Sequence, residues 1–189
     1  MDGGTTGADS VSSAVELPSF SVRQEMGAAV DRSGSPTSSD TKGGFHEEGG
    51  IWGTLANGQD KVINAVPGAY SDPKVPGGTA SVATTNPAIP AESGMLTTVS
   101  GTFHVHPKGE IKETTSSTTN SPGTITIGGT TTTKTFNFAQ PPSAVDMSNA
   151  KTLGTKYNVV LGARDKKVYL YNGIKTVATF PLGKFRTVK

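Results

Sequence analysis

The sequence predicts a single α+β domain, with a twisted, mostly antiparallel sheet flanked by few helices. Three observations predict it. Near the C-terminus, YNVVLGA (157–163), KVYLYN (167–172) and TVATFPL (176–182) are apolar, alternating runs. They are parted by turns at Arg164-Asp165-Lys166 and Asn172-Gly173, the spacing of an antiparallel meander. Upstream, Ser143 after Pro141-Pro142 is placed to cap a helix that should end by Gly154. A length of 189 residues suits one domain with a core of its own.

The elements follow in order. Residues 1–42 are rich in Gly, Ser, Thr and Asp, a composition that buries too little apolar surface to offset its ordering entropy. They are expected to form a weakly ordered leader ahead of a domain over 43–189. Within it only 21–31 (SVRQEMGAAVD) is helical in pattern, with Val22, Met26, Ala29 and Val30 on one side. Gly27 weakens that helix and Ser-Gly-Ser-Pro at 33–36 ends it. Gly-Gly pairs at 43–44 and 49–50 frame the next segment. A strand over 45–54 should pair with one over 60–66 across Asn57-Gly58. Residues 67–94, rich in Pro and Gly, predict a long irregular loop. Residues 95–106 alternate as a strand that stops at Pro107. An insertion over about 108–142 reads as a β-hairpin with arms at ITI (125–127) and KTFNF (134–138) and a mobile tip at 114–120. The plainer alternative for this Thr-rich tract is low-complexity disorder.

Composition excludes several functions. The formal net charge is only +2, and the Lys and Arg residues of the C-terminal third alternate with apolar ones, as on the solvated face of strands. That pattern argues against nucleic-acid binding. The absence of cysteine rules out disulfide scaffolds, Cys-type zinc sites and cysteine nucleophiles. No stretch reaches the ~20 apolar residues of a membrane span, and the N-terminus lacks the basic and apolar regions of a Sec-type signal. The expected location is therefore cytoplasmic, or outside by a signal-independent route or as part of a larger chain.

Two of the three histidines stand in Gly101-Thr102-Phe103-His104-Val105-His106-Pro107. Residues i and i+2 of a strand share a face, so both imidazoles point the same way. Zinc accepts imidazole nitrogen at ~2.0–2.1 Å, and catalytic sites use three protein ligands. Asp146, near the helix start, is the candidate third. The bland alternative is two partly exposed strand residues. Adjacent Glu47 and Glu48 face opposite sides of a strand, so only one can serve this site. His46 reads as a strand-edge residue and Trp52 as core.

Taken in order, Glu47-Glu48-Gly49-Gly50, His104-Val105-His106-Pro107 and Ser143-Ala144-Val145-Asp146 resemble the JAMM/MPN zinc metallopeptidases, whose pattern is Glu-x-x-Gly, His-x-His-Pro and Ser-x-x-Asp. The C-terminal meander is similar to that of JAB-like domains of bacterial polymorphic toxins. The likeness spans roughly residues 43–188. One departure is the stretch 108–142, where the family has only a few residues.

The resemblance implies a JAMM/cytidine-deaminase-like fold and a Zn²⁺ cofactor held by His104, His106 and Asp146. It makes Glu47, rather than Glu48, the general base and Ser143 the hydrogen-bond donor to the developing oxyanion or to the metal-bound water. The implied activity is a zinc-dependent peptidase or isopeptidase acting on a peptide or isopeptide-linked protein. For a toxin-type module it also implies an immunity-protein partner. Two other readings stay open: a metal-binding scaffold without turnover, and a β-rich structural or adhesive module suggested by the Thr/Gly/Ser content.

Overall fold

Strands form where the sequence alternates, and six of them join one sheet in the order β2-β1-β3-β6-β7-β8. This computed structural model describes residues 15–75, 80–83, 96–118 and 129–189. In chain order the elements are α1 (Phe20–Ser33), β1 (Gly49–Leu55), β2 (Asp60–Asn64), β3 (Leu96–His106), β4 (Glu110–Thr118), β5 (Gly129–Asn137), α2 (Ala144–Leu153), β6 (Asn158–Gly162), β7 (Lys167–Tyr171), β8 (Thr176–Pro181) and α3 (Leu182–Thr187). Every pairing in the large sheet is antiparallel except β3 with β6. Parallel neighbours need a crossover, and the segment carrying β4, β5 and α2 supplies it. The described residues form a single α+β domain with a mostly antiparallel sheet and three helices. No helix among the described residues is long and apolar enough to cross a membrane.

The period-2 alternation of β3 decides what lies on each face of the sheet. Phe103 and Val105 point to one side, where they meet Trp52, Val159, Leu161, Val168 and Leu170 beneath α1 and α3. Phe103 and Val105 are wholly buried, and each such side chain contributes roughly 1.5–3 kcal/mol by leaving water. Thr102, His104 and His106 point to the opposite side. There α2 sets Ala150 and Met147 against Val160, Tyr169 and Tyr171.

Much of the expected leader belongs to the core. Val22, Met26, Ala29 and Val30, the residues of the helical pattern, are buried in the main apolar cluster. Arg23 locks the helix to the C-terminus by donating to the carbonyls of Phe185 (2.8 Å) and Val188 (2.7 Å). Residues Phe20–Ser33 are helical, and their apolar stripe lies in the core. Composition averaged over the segment hid one amphipathic helix whose apolar stripe finds a sheet to cover. Residues 1–14 lie outside the described residues.

The inserted hairpin exists, but its arms differ from those expected. β4 pairs with β5 from Glu110↔Asn137 to Thr118↔Gly129, as a two-stranded sheet of its own. The stretch 114–118, expected at the tip, is part of an arm. Thr faces Thr at the 114↔133 and 115↔132 pairs, so β-branched residues extend the arms beyond the apolar Ile111↔Phe136 pair. The expected arm at 125–127 and the tip residues 119–120 lie outside the described residues. So do much of the loop over 67–94 and the start of the third strand at Met95. The short helix α3 carries no clear sequence signal and was not anticipated.

Candidate metal centre

Three separate elements bring the site together. β3 presents His104 and His106 side by side on the face away from α1, both buried. β1 pairs with β3 through Gly49↔His104. The Val105 N–H donates to the Glu48 carbonyl at 2.8 Å, extending the ladder past the start of β1 and carrying Glu47 alongside His106. The absence of a side chain at Gly49 matters here. A Cβ at that position would collide with the Phe103 carbonyl and the Val82 side chain, and would crowd the Cβ of His104.

α2 supplies the carboxylate. Ser143 is its N-cap, and a capping box links it to Asp146: the Asp146 N–H donates to Ser143 Oγ (3.1 Å) and the Ser143 N–H donates to Asp146 Oδ2 (2.6 Å). The cap fixes the Asp146 rotamer as well as starting the helix. The carboxylate then faces both imidazoles, with Oδ1 at 3.2 Å from His104 Nε2 and Oδ2 at 3.5 Å from His106 Nε2. The two Nε2 atoms are 3.1 Å apart.

These three distances test whether a metal fits. Ligand atoms bonded at ~2.0–2.1 Å with tetrahedral angles stand about 3.3 Å from one another. The Nε2–Nε2 separation of 3.1 Å and the contacts of 3.2 and 3.5 Å, made to two different oxygens of Asp146, lie on either side of that value. The proton count points the same way. His106 Nδ1 donates to the Gln140 carbonyl at 3.0 Å, so in the neutral ring Nε2 carries only a lone pair. At most one ring proton, on His104 Nε2, is then left to serve three converging acceptors. Two nitrogens and one oxygen short of protons suit a borderline-soft cation such as zinc.

Electrostatics favour the ligand-ready forms. Burial would push the Asp146 carboxyl up. The His104 and His106 imidazoles beside it and the Ser143 N–H outweigh burial and hold it well below the usual carboxylate range. Burial holds the His104 imidazole below its ordinary value, favouring the neutral ring that metals bind. Glu47 is the opposite case. Burial, then the charge on Asp146, push its carboxyl well above the usual range, opposed by a hydrogen bond from the Val82 N–H. Its carboxylate oxygen and the two imidazole nitrogens all lie within 4.8 Å of one another. That places Glu47 against the His pair, within reach of a water between them or of a metal itself.

The residues singled out in the sequence fall as follows. His104, His106, Asp146, Glu47 and Ser143 line one cleft of about 340 Å³. Glu48 faces the other side of the sheet, where Arg32 Nε lies 3.3 Å from its Oε2. Trp52 is core. His46 is not an edge residue. It is wholly buried, with Nδ1 2.8 Å from Asp40 Oδ2. Gly43 and Gly44, at φ 74° and 88°, turn the chain back beneath α1 and take His46 inside.

Sequence reasoning missed Val82, Gln140 and Tyr171. Val82 and Tyr171 line the cleft. Burial, then the charge on Asp146, push the Tyr171 phenol up, so it stays a hydrogen-bond donor. The alternation Tyr169-Leu170-Tyr171 was the available signal for a phenol on this face. Val82 and Gln140 lie in irregular segments and carried none. Comparison with protein-family models, with curated proteins and with solved structures gave no match.

Proposed function

We propose that this chain is a zinc-dependent peptidase or isopeptidase of the JAMM/MPN kind, in the manner of the JAB-like domains of bacterial toxins. The observation that carries the reading is the convergence of His104 Nε2, His106 Nε2 and the two oxygens of Asp146, at separations of 3.1–3.5 Å. Zinc held there supplies Lewis acidity, making water more acidic and a carbonyl more electrophilic.

The chain's own groups do the rest. Glu47 takes a proton from the attacking water as its oxygen bonds to the amide carbon. When the C–N bond breaks, Glu47 returns that proton to the leaving nitrogen, so the products are a carboxylic acid and an amine. Burial and the nearby Asp146 charge raise the basicity of Glu47, as a base working near neutrality requires. Ser143 Oγ already accepts from the Asp146 N–H, and its own proton is free to donate to the developing oxyanion. The cleft accommodates a polypeptide rather than a charged polymer, since Val82, Phe138, Val145 and Leu153 line it beside the polar cluster.

The second reading is a metal-binding scaffold without turnover. The observation that favours it is the closeness of the Glu47 carboxylate to both imidazoles, within 4.8 Å, which lets Glu47 be a ligand rather than a base.

A panel of peptide and isopeptide conjugates, assayed with zinc-loaded protein, decides between them. Glu47→Gln should keep about one zinc per chain while turnover falls by ~10²–10⁴. Unchanged turnover in that variant would remove Glu47 from the chemistry. Absence of turnover in the parent protein, with zinc bound, would favour the scaffold.

A further inference from the structure

The chain leaves the metal face at Pro107 and returns to it at Ser143, with the β4–β5 hairpin in between. One side chain spans the gap. Gln140, almost wholly buried, donates through Nε2 to the carbonyls of Pro107 (3.0 Å) and Phe138 (3.1 Å). Its Oε1 accepts the Arg164 N–H at 2.8 Å. Pro107 follows β3, Phe138 follows β5, and Arg164 lies in the turn between β6 and β7. A single amide thus ties both feet of the hairpin to the sheet. The Arg164 guanidinium reinforces the tie by donating to the Phe138 carbonyl at 3.0 Å. At Gly162 an added Cβ would collide first with the Asp165 carboxylate and would also crowd the Gln140 Cβ, at 3.2 Å.

The same residue reaches the metal centre through its backbone. The Gln140 carbonyl accepts from His106 Nδ1 at 3.0 Å. That bond leaves Nε2 bare and aims it at Asp146 and His104. Outer partners of this kind set the tautomer and direction of a ligating histidine.

We infer that Gln140 is a positioning residue that isolates the metal centre from the inserted hairpin. Its side chain closes the hairpin at the base, and its carbonyl sets His106, so the arms extend without moving the ligands. The pairing of β4 and β5 as a separate sheet fits this division. The insertion is then compatible with a His-x-His-Pro and Ser-x-x-Asp site because the loop is closed at its feet, whatever its length. The inference rests on the metal-site reading for one of its two readouts only.

The test uses the full chain, with ¹⁵N spectra of the histidine rings in metal-free protein and zinc affinity by competition. In the parent protein His106 should show the Nδ1-protonated tautomer. Gln140→Met, similar in length but without the amide, should lose that signature and weaken zinc binding by ~10–100-fold. If Gln140→Met does not fold, Gln140→Asn takes its place, since it keeps the amide but is too short to span three segments. A second variant replaces residues 115–132 with an Asn-Gly turn next to the Thr114↔Thr133 pair. It should keep the tautomer, with zinc affinity within about twofold of the parent. Gln140 variants that match the parent in both readouts would overturn the inference, as would loss of the tautomer on shortening the hairpin. A parent protein with the expected tautomer but no zinc binding would defeat the proposed function instead, and the tautomer alone would then judge Gln140.

Discussion

The two faces of one sheet are built on opposite terms. Under α1 and α3, Phe103, Val105, Val159 and Leu161 leave water almost completely and pack on one another. On the reverse face, one residue along the same strand, His104 and His106 are nearly as buried yet meet a carboxylate. Burial of equal depth stabilises the fold on the first face and costs free energy on the second, where polar groups must be satisfied. The comparison teaches that a polar cluster at this depth must be satisfied by its own partners, and that the apolar face and its helices offset what it costs.

Variants on each side test how far the two faces are separable. The largest effect belongs to the apolar face. Phe103→Ala should lower unfolding free energy by ~3–5 kcal/mol, measured by urea denaturation, without changing the increment that zinc adds. A loss confined to zinc-loaded protein would mean that the two faces are not separable.

Next is that zinc increment itself. Zinc at a hundred times its dissociation constant should stabilise the parent by about 2.7 kcal/mol, and His104→Ala should abolish the gain. An equal gain in both proteins would place the metal elsewhere.

A smaller effect belongs to the polar network on the helix side. Burial would push the Asp40 carboxyl up, but hydrogen bonds from His46 and from the Phe45 and Gly43 N–H groups hold it below the usual range. A depressed carboxyl contributes stability above its unfolded pKa of ~3.9, and that stability is lost as pH falls through the folded value. Asp40→Asn should cost roughly 1–3 kcal/mol near neutrality. The gap between the two proteins should close as pH falls below ~4. A gap independent of pH would show that the Asp40 charge has no part in it. The smallest effect is expected at Val145, which is 65% exposed at the cleft rim. Val145→Thr should stay within about 0.5 kcal/mol, as thermal denaturation would show.

How much of this was legible in the sequence depends on what each signal requires. The meander, the pairing of the first two strands and the Ser143 cap were readable because their signals are local. His104 and His106 were readable as a same-face pair for the same reason. The position of Asp146 was not, because the stretch 108–142 separates it from the histidines, and only the motif order placed it there. The role of α1 was hidden because its value depends on a sheet face that composition does not reveal. Glu48 and His46 read as strand positions, yet a fold-back at Gly43-Gly44 buried His46 and set Glu48 beside Arg32. The latch at Gln140 had no signal at all, since a lone glutamine in an irregular segment carries no period.

The proposed activity requires two imidazoles and one carboxylate to hold zinc on the polar face. Zinc K-edge X-ray absorption of protein loaded with one equivalent of zinc tests it most directly. The account predicts a tetrahedral nitrogen and oxygen shell at ~2.0–2.1 Å, with the outer scattering of two imidazoles. An octahedral oxygen shell without imidazole scattering would contradict it.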